Sequence, residues 1–160
     1  MIEINSVNNP TIKSLRKLEQ KKYRKKTQTY LIEGFHLVEE ALKNHENYLY
    51  ILGTSAALVK LTAHYKLKDD KVIQITDAIA EHLSSTKNSQ DIFMVLPINQ
   101  PKSFSFEYGK WVVLDNLTDP GNVGTIIRTA DAAGFDGVVL SEESVDLYNP
   151  KVQRSMQGSQ

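Results

Sequence analysis

Apolar residues recur along the first 97 residues in blocks that alternate between a helical and a strand spacing. After Asn9-Pro10, residues Ile12, Leu15 and Leu18 repeat every three positions, which is the spacing of one apolar stripe on a helix. Asn caps free N–H groups and Pro fits a first turn, so the pair predicts where this helix begins. Runs rich in aliphatic and aromatic residues predict strands at residues 29–32, 48–52, 72–75 and 91–97. Helical spacing predicts helices at residues 35–42, 55–65 and 76–83.

Strands that alternate with helices predict an α/β fold, here an α/β sandwich with a largely parallel sheet. The unbroken apolar run from Ile92 to Leu96 predicts a strand buried on both faces. A second α/β unit begins at Trp111, with predicted strands at residues 111–114 and 137–140 around a helix at residues 123–133. This βαβ unit should have a right-handed crossover. Asn149-Pro150 predicts the start of one more helix.

The stretch between the two units has a different composition. Residues 98–110 include Pro101, Gly109 and two Ser and show little periodicity, which predicts a linker. The expected organisation is therefore a domain at residues 1–97, a linker at 98–110 and a second domain at 111–160. A lone βαβ unit cannot cover both faces of its own sheet, so we expect the chain to be part of a longer protein. The alternative is a short protein whose second unit packs against the first.

Composition narrows the possible classes of protein. Of 160 residues, 41% are hydrophobic and 24% charged, which is typical of a soluble globular protein. No apolar run is long enough to span a bilayer and no signal peptide is evident, so we expect a cytoplasmic protein without a membrane partner. The chain has no Cys, which excludes disulfides, thiol nucleophiles and Cys-ligated metals. Its four His residues are scattered without ligand spacing, so no metal site is expected.

The net charge of zero conceals an asymmetry along the chain. Residues 1–30 contain eight basic and two acidic residues, a net charge of +6, whereas the remaining residues carry −6. A basic segment on an acidic body is typical of polyanion binding, and a solvated helix face is the alternative. The candidate RNA-binding residues are the basic ones of this segment: Lys13, Arg16, Lys17, Lys21, Lys22, Arg24, Lys25 and Lys26. Tyr23 is expected to be partly exposed and could stack on a base, whereas Tyr30 is expected in the core.

Residues 119–130 (DPGNVGTIIRTA) lie where a strand's carboxyl end meets a helix, which is the usual ligand crevice of an α/β sheet. We expect Gly121 and Gly124 to let a ligand or second chain approach the backbone, and exposed N–H groups to favour an anion. The spacing fits neither a Rossmann fingerprint nor a P-loop, and a capped Gly/Asn turn is the alternative. Arg128 follows Asn122 by six residues, so the two would meet one ligand only if Asn122 lies in the loop.

Residues 114–134 (LDNLTDPGNVGTIIRTADAAG) resemble motif 1 of the SpoU/TrmH family, RNA 2′-O-ribose methyltransferases of the SPOUT superfamily. Residues 138–159 continue the match, and residues 21–34 (KKYRKKTQTYLIEG) resemble the substrate-binding domain often fused ahead of the catalytic one. The resemblance implies a ribosomal-protein-like α/β/α sandwich followed by the first part of an α/β knot (SPOUT) methyltransferase domain. It also implies a substrate RNA, with ribosomal RNA favoured and transfer RNA second.

The family pattern assigns roles to particular positions. Asn122 matches an asparagine that organises the active site, and Arg128 matches the arginine implicated in ribose activation, either as a base or as a fork that orients oxygen. A structural ion pair with Asp131 is the alternative for Arg128. Glu33 matches an acidic residue for which we expect a structural role, as a cap or in an ion pair. Residues 155–159 match a turn that we expect to be structural.

The family binds S-adenosylmethionine in a knot whose segments we expect beyond Gln160. We therefore expect no cofactor-binding residue in this chain, an inactive fragment, and a monomer or weak dimer where the full-length protein is a homodimer. Two other functions stay open. One is a non-catalytic RNA-binding module that uses the front domain alone, and the other is a generic nucleotide-binding α/β protein.

Overall fold

The computed structural model of the chain describes residues 2–99 and 106–159. The chain divides into two compact units, Met1–Ile98 (unit 1) and Asn99–Gln160 (unit 2). Six of the thirteen residues of the linker predicted at 98–110, residues 100–105, lie outside the described residues. No helix within the described ranges is both long and apolar enough to cross a membrane.

Unit 1 is built around a five-stranded sheet with the strand order β1-β4-β3-β5-β2. Its strands are β1 (Ile2–Ile4), β2 (Thr29–Glu33), β3 (Tyr50–Gly53), β4 (Val72–Ile75) and β5 (Ile92–Pro97). Its helices are α1 (Pro10–Arg16), α2 (Lys21–Thr27), α3 (Phe35–Lys43), α4 (Ser55–Thr62) and α5 (Asp77–Leu83), with 3₁₀ turns at Lys17–Glu19 and Asp69–Lys71. Strand β4 pairs in parallel with β1 and β3, and β5 pairs antiparallel to β2 and β3. Four strands therefore share one direction, and β5 alone runs against them.

The core of unit 1 explains why β5 reads as one apolar run. Residues 92–96 are at most 2% exposed, so alternate side chains are buried on both faces of the sheet. On one face, Phe93 and Val95 belong to a cluster with α1 and α5, where Ile12 and Ile79 are fully buried. The predicted buried strand and the α/β sandwich are confirmed.

Two elements of unit 1 differ from the sequence prediction. The apolar stripe predicted for one helix, Ile12, Leu15 and Leu18, extends over α1 and the 3₁₀ turn that follows it, and the extended Gln20 (φ −96°, ψ 130°) separates this turn from α2. Strand β1 was not predicted. It has three residues, of which only Ile4 is buried, so it shows no detectable periodicity. Pairing with β4 makes it a strand.

Unit 2 contains a two-stranded parallel sheet, with Trp111 opposite Gly137 and Leu114 opposite Leu140. Its elements are β6 (Trp111–Leu114), α6 (Pro120–Ala132), β7 (Gly137–Leu140) and α7 (Pro150–Met156). The predicted βαβ unit is thus confirmed. Helix α6 begins at Pro120, three residues earlier than predicted, because Asp119 caps it. Its apolar side packs on Leu114 and α7 around the fully buried Val123.

Candidate active site and candidate RNA interface

The carboxyl ends of β6 and β7 meet at one edge of the sheet of unit 2, where two serines join the following loops. The Ser141 hydroxyl accepts a hydrogen bond from the Asn116 N–H at 2.8 Å. The buried Ser144 hydroxyl accepts from the Leu117 N–H at 3.1 Å and donates to the Leu114 carbonyl at 3.2 Å. These contacts connect residues 25 to 30 positions apart and hold the loop that leads into α6.

The N-terminus of α6 is capped by a carboxylate of the chain itself. Asp119 Oδ1 accepts from the Asn122 N–H at 2.7 Å, and the Asp119 carbonyl accepts from the Val123 N–H. Pro120 has no N–H to offer. A bound anion would therefore approach a negative side chain, and the Asn122 and Val123 N–H groups are already bonded to Asp119, which argues against the anion site expected here. The capped-turn alternative describes this feature.

Gly124 serves a contact between helices. A Cβ at this position would lie 2.4 Å from Ser155 Cβ and 2.8 Å from the Val152 carbonyl oxygen. Ser155 Oγ donates to the Gly121 carbonyl at 2.9 Å and lies 3.3 Å from Thr125 Oγ1. The close approach expected at Gly124 is therefore made by α7 rather than by a ligand. This also gives the matched turn region around Ser155 a structural role.

Asn122 and Arg128 are both exposed on α6, but on different sides of it. Asn122 lies in the first helical turn, not in the loop, so the condition for a shared ligand is not met. Six helical residues place the two side chains roughly 120° apart around the axis and roughly 9 Å apart along it. Arg128 shares its face with Gly124 and Thr125. Within residues 2–99 and 106–159 it makes neither an ion pair nor a hydrogen bond, so the expected alternative, a pair with Asp131, is not formed.

Tyr148, in the loop that leads into α7, was not singled out from the sequence. Burial raises the pKa of its phenol, and the nearby Asp146 carboxylate raises it further. The shift reinforces the protonated form, which a tyrosine already has at neutral pH. Only the tertiary structure shows the shift, because the sequence does not reveal that Tyr148 is half-buried.

Glu33 organises a loop of unit 1. Its carboxylate accepts hydrogen bonds from Ser84 Oγ at 2.5 Å, from Ser85 N and Oγ at 3.0 Å each, and from Thr86 Oγ1 at 3.0 Å. Glu33 therefore has the expected structural role, but it holds a loop more than 50 residues away and does not cap a helix.

The eight basic residues of the first 30 are not equivalent in the structure. Six lysines are exposed: Lys13, Lys17, Lys21, Lys22, Lys25 and Lys26. The ammonium groups of Lys17 and Lys22 lie 5.4 and 4.9 Å from the centre of the half-buried Tyr23 ring. Arg16 is half-buried and forms an ion pair with Glu19. Tyr30 is buried in the core, as expected.

Arg24 corrects the sequence prediction. It is 2% exposed, and its Nη1 donates to the carbonyl oxygens of Leu18 at 2.7 Å and Glu19 at 2.8 Å. A buried guanidinium that bonds backbone carbonyls does not reach an RNA phosphate. Arg24 is therefore not a candidate for binding an RNA phosphate.

The resemblance implies S-adenosylmethionine as cofactor, but the described residues of unit 2 are engaged with one another where a ligand was expected. Ser155 covers Gly124, Asp119 caps α6, and Ser144 joins the loops at the sheet edge. We assign no cofactor contact to these residues. The described residues also contain no group of three His, Asp or Glu side chains that could hold a metal ion.

Two family models match successive parts of the chain. The MRM3-like substrate binding domain matches residues 9–94, and the SpoU rRNA Methylase family matches residues 110–160. The first match lies in unit 1, and most of the second lies in the described part of unit 2.

Curated proteins and solved structures give the same picture. The chain is 39% identical to the 23S rRNA (guanosine(2553)-2′-O)-methyltransferase RlmP of Bacillus subtilis (strain 168), over 99% of this chain and 62% of that protein. It is 30% identical to the mitochondrial rRNA methyltransferase 3B of Danio rerio, over 94% of this chain and 36% of that protein. The AdoMet-bound rRNA methyltransferase of Sinorhizobium meliloti superposes with a TM-score of 0.83 at 30% identity, over 98% of this chain and 60% of that one. The chain thus spans about three fifths or less of the length of these proteins.

These matches confirm the resemblance carried by residues 21–34 and 114–134. The chain belongs to the SpoU/TrmH methyltransferase family, with an MRM3-like substrate binding domain in unit 1 and a SpoU rRNA methylase segment in unit 2.

Proposed function

We propose that the chain supplies the RNA-binding domain and part of the catalytic domain of an S-adenosylmethionine-dependent 2′-O-ribose methyltransferase that acts on ribosomal RNA. The observation that carries the proposal is the SpoU match over residues 110–160, in which α6 presents the exposed Arg128. The Bacillus subtilis and Danio rerio relatives are named as ribosomal RNA methyltransferases, which favours ribosomal over transfer RNA. The AdoMet-bound structure supports the methyl donor.

S-adenosylmethionine, when bound to the complete protein, would supply the methyl group, and the ribose 2′-hydroxyl would accept it and release its proton. The residues of this chain are proposed to act on that 2′ oxygen. A 2′-hydroxyl is a poor nucleophile, so the step needs an oxygen held in line and stabilisation of its developing charge. Arg128 is suited to both tasks, because a guanidinium is a planar, permanently charged fork of N–H donors. For the same reason it orients the oxygen and does not take its proton. Asn122 is proposed to organise the site from the first turn of α6.

Unit 1 is proposed to hold the RNA through its exposed lysines. Ammonium groups neutralise phosphates without reading sequence, so they contribute affinity and leave the choice of nucleotide to other contacts. The lysines of α2 and of the 3₁₀ turn before it are candidates for this contact. The buried Arg24 is not.

Two further parts of the proposal rest on the family resemblance. We propose that the complete protein is a homodimer, which sedimentation velocity tests. We also propose a cytoplasmic location, because the Bacillus subtilis relative is named for 23S ribosomal RNA, which bacteria hold in the cytoplasm.

The test measures methyl transfer to ribosomal RNA by a protein that contains this chain together with the family's cofactor-binding segments. Arg128→Ala should lower kcat by about 10²–10³-fold, as loss of one charge-stabilising donor does elsewhere. Arg128→Lys should restore little, because a point charge does not replace the planar fork. Asp131→Ala, on the same exposed part of α6, is the matched control and should leave kcat unchanged. Turnover of Arg128→Ala close to wild type would contradict the assigned role, and RNA binding without any methyl transfer would favour the non-catalytic alternative.

A further inference from the structure

Helix α2 lacks the features that usually stabilise a helix on a protein surface. Its sequence, KKYRKKT, contains no aliphatic side chain, and its most buried residue is Arg24. Lys21 and Lys22 lie at its N-terminal end, where the helix dipole disfavours positive charge. Lys25 follows Lys21, and Lys26 follows Lys22, by four residues, a spacing at which like charges on a helix repel. A helix of seven residues is also too short to be stable by itself.

The contacts of Arg24 supply what the composition lacks. Its Nη1 donates to the last two carbonyls before Gln20, those of Leu18 and Glu19. Arg24 thus connects α2 to the 3₁₀ turn that precedes the extended residue Gln20. The carbonyl of Leu18 belongs to a residue of the core that is 3% exposed. Arg24 therefore ties α2 to the packed part of unit 1 from the side opposite to solvent.

Because Arg24 is directed inward, four of the five exposed residues of α2 are lysines, and the fifth is Thr27. Tyr23 adds a second link, since ammonium groups from the 3₁₀ turn (Lys17) and from α2 (Lys22) both lie over its ring. A helix that concentrates like charges on one exposed surface is disfavoured until a polyanion neutralises them.

We propose that Arg24 is a positioning residue for RNA: it holds α2 so that the lysines of that helix contact successive phosphates as one set. This inference deepens the proposed RNA-binding function and rests on it. Arg24 itself contacts no phosphate. Its removal should therefore cost the contacts of several lysines at once, whereas loss of one exposed lysine costs one contact.

The experiment measures binding of the chain to fluorescein-labelled oligouridylate by anisotropy over a series of KCl concentrations. For single-stranded RNA, each phosphate contact contributes about 0.7 to the slope of log Kobs against log salt. The matched control Lys25→Gln should reduce the slope by about that amount. Arg24→Met, which keeps the apolar stem and removes the donors, should reduce it at least twice as much. Arg24→Lys should restore most of the slope, because a single nitrogen of Arg24 makes both carbonyl bonds.

Hydrogen exchange without RNA provides an independent readout. In Arg24→Met, amides of residues 20–28 should exchange faster while those of β3 and β5 keep their protection. A slope loss no larger than that of Lys25→Gln, or unchanged protection of residues 20–28, would overturn the proposal. If Arg24→Met also loses protection in β3 and β5, Arg24→Lys decides: a folded variant with the wild-type slope supports the proposal, and a folded variant with a reduced slope overturns it. Wild-type protein that shows no salt-dependent binding would contradict RNA binding itself, while the exchange data would still report whether Arg24 holds α2.

Discussion

Gly124→Ala tests whether the contact between α6 and α7 determines the stability of unit 2. The added Cβ would lie 2.4 Å from Ser155 Cβ, 2.8 Å from the Val152 carbonyl oxygen and 2.9 Å from the Met156 nitrogen. Carbon atoms pack favourably at about 3.5–4.0 Å, so the helices must separate by roughly 1 Å. Two of the three atoms belong to the backbone, and no rotamer change can move them away.

Two opposing effects determine the magnitude. Replacing a helical Gly by Ala stabilises a helix by about 1 kcal/mol. Overpacking of a close contact costs about 1–3 kcal/mol, and the backbone clashes here place the cost at the upper end. The net expectation is a loss of about 2 kcal/mol in the free energy of unfolding of unit 2. For a unit of this size, that corresponds to a decrease in Tm of roughly 8–16 °C.

Trp111 makes the measurement specific, since it is the single tryptophan of the chain and lies in β6 of unit 2. Its fluorescence during urea unfolding reports on unit 2 without a contribution from unit 1. The matched control is Gly121→Ala, one turn earlier on α6, where the added Cβ meets only Asp119 Oδ1, at 3.2 Å. This control should change stability by less than about 1 kcal/mol, because a side-chain oxygen can move. If Gly124→Ala unfolds at the same urea concentration as wild type, the packing of α7 on α6 does not depend on a bare backbone at residue 124.

Two further predictions concern the lysines of α2 and the ionisation of Tyr148. Replacement of Lys21, Lys22, Lys25 and Lys26 by Gln should weaken binding to oligouridylate and flatten its dependence on KCl, because fewer counterions are released; an unchanged slope in the same titration would remove these lysines from the interface. The raised pKa of Tyr148 means that the folded state favours the protonated phenol. Its contribution to stability is complete below the ordinary tyrosine pKa of about 10 and is lost as the pH rises through the folded-state value. Tyr148→Phe should lack this alkaline loss when Trp111 fluorescence follows unfolding at several pH values, and identical pH profiles of the two proteins would contradict the assignment.

Local interactions made several features of this protein predictable from its sequence. Asn9 and Asn149 each accept a hydrogen bond from the N–H two residues later, at 2.8 and 2.9 Å, and each precedes a Pro that begins a helix. Such caps need only neighbouring residues, so their signal is present in the sequence itself. The unbroken apolar run of β5 likewise indicated a strand buried on both faces. The resemblance to the SpoU/TrmH family, which the comparisons confirm, also came from contiguous motifs.

Only the tertiary structure decided the roles of residues whose partners are distant or whose orientation depends on packing. Glu33 bonds a loop more than 50 residues away, and Gly124 is restricted by a helix about 30 residues further on. In the sequence, Arg24 is one basic residue among lysines and nothing distinguishes it from them. In the structure it faces inward, where it bonds the Leu18 carbonyl before the extended Gln20. The start of α6 at Pro120 places Asn122 in the first helical turn and apart from Arg128, which a pattern of Gly and Asn did not indicate. Periodicity and capping act within a few residues of the chain, whereas these contacts arise when elements pack.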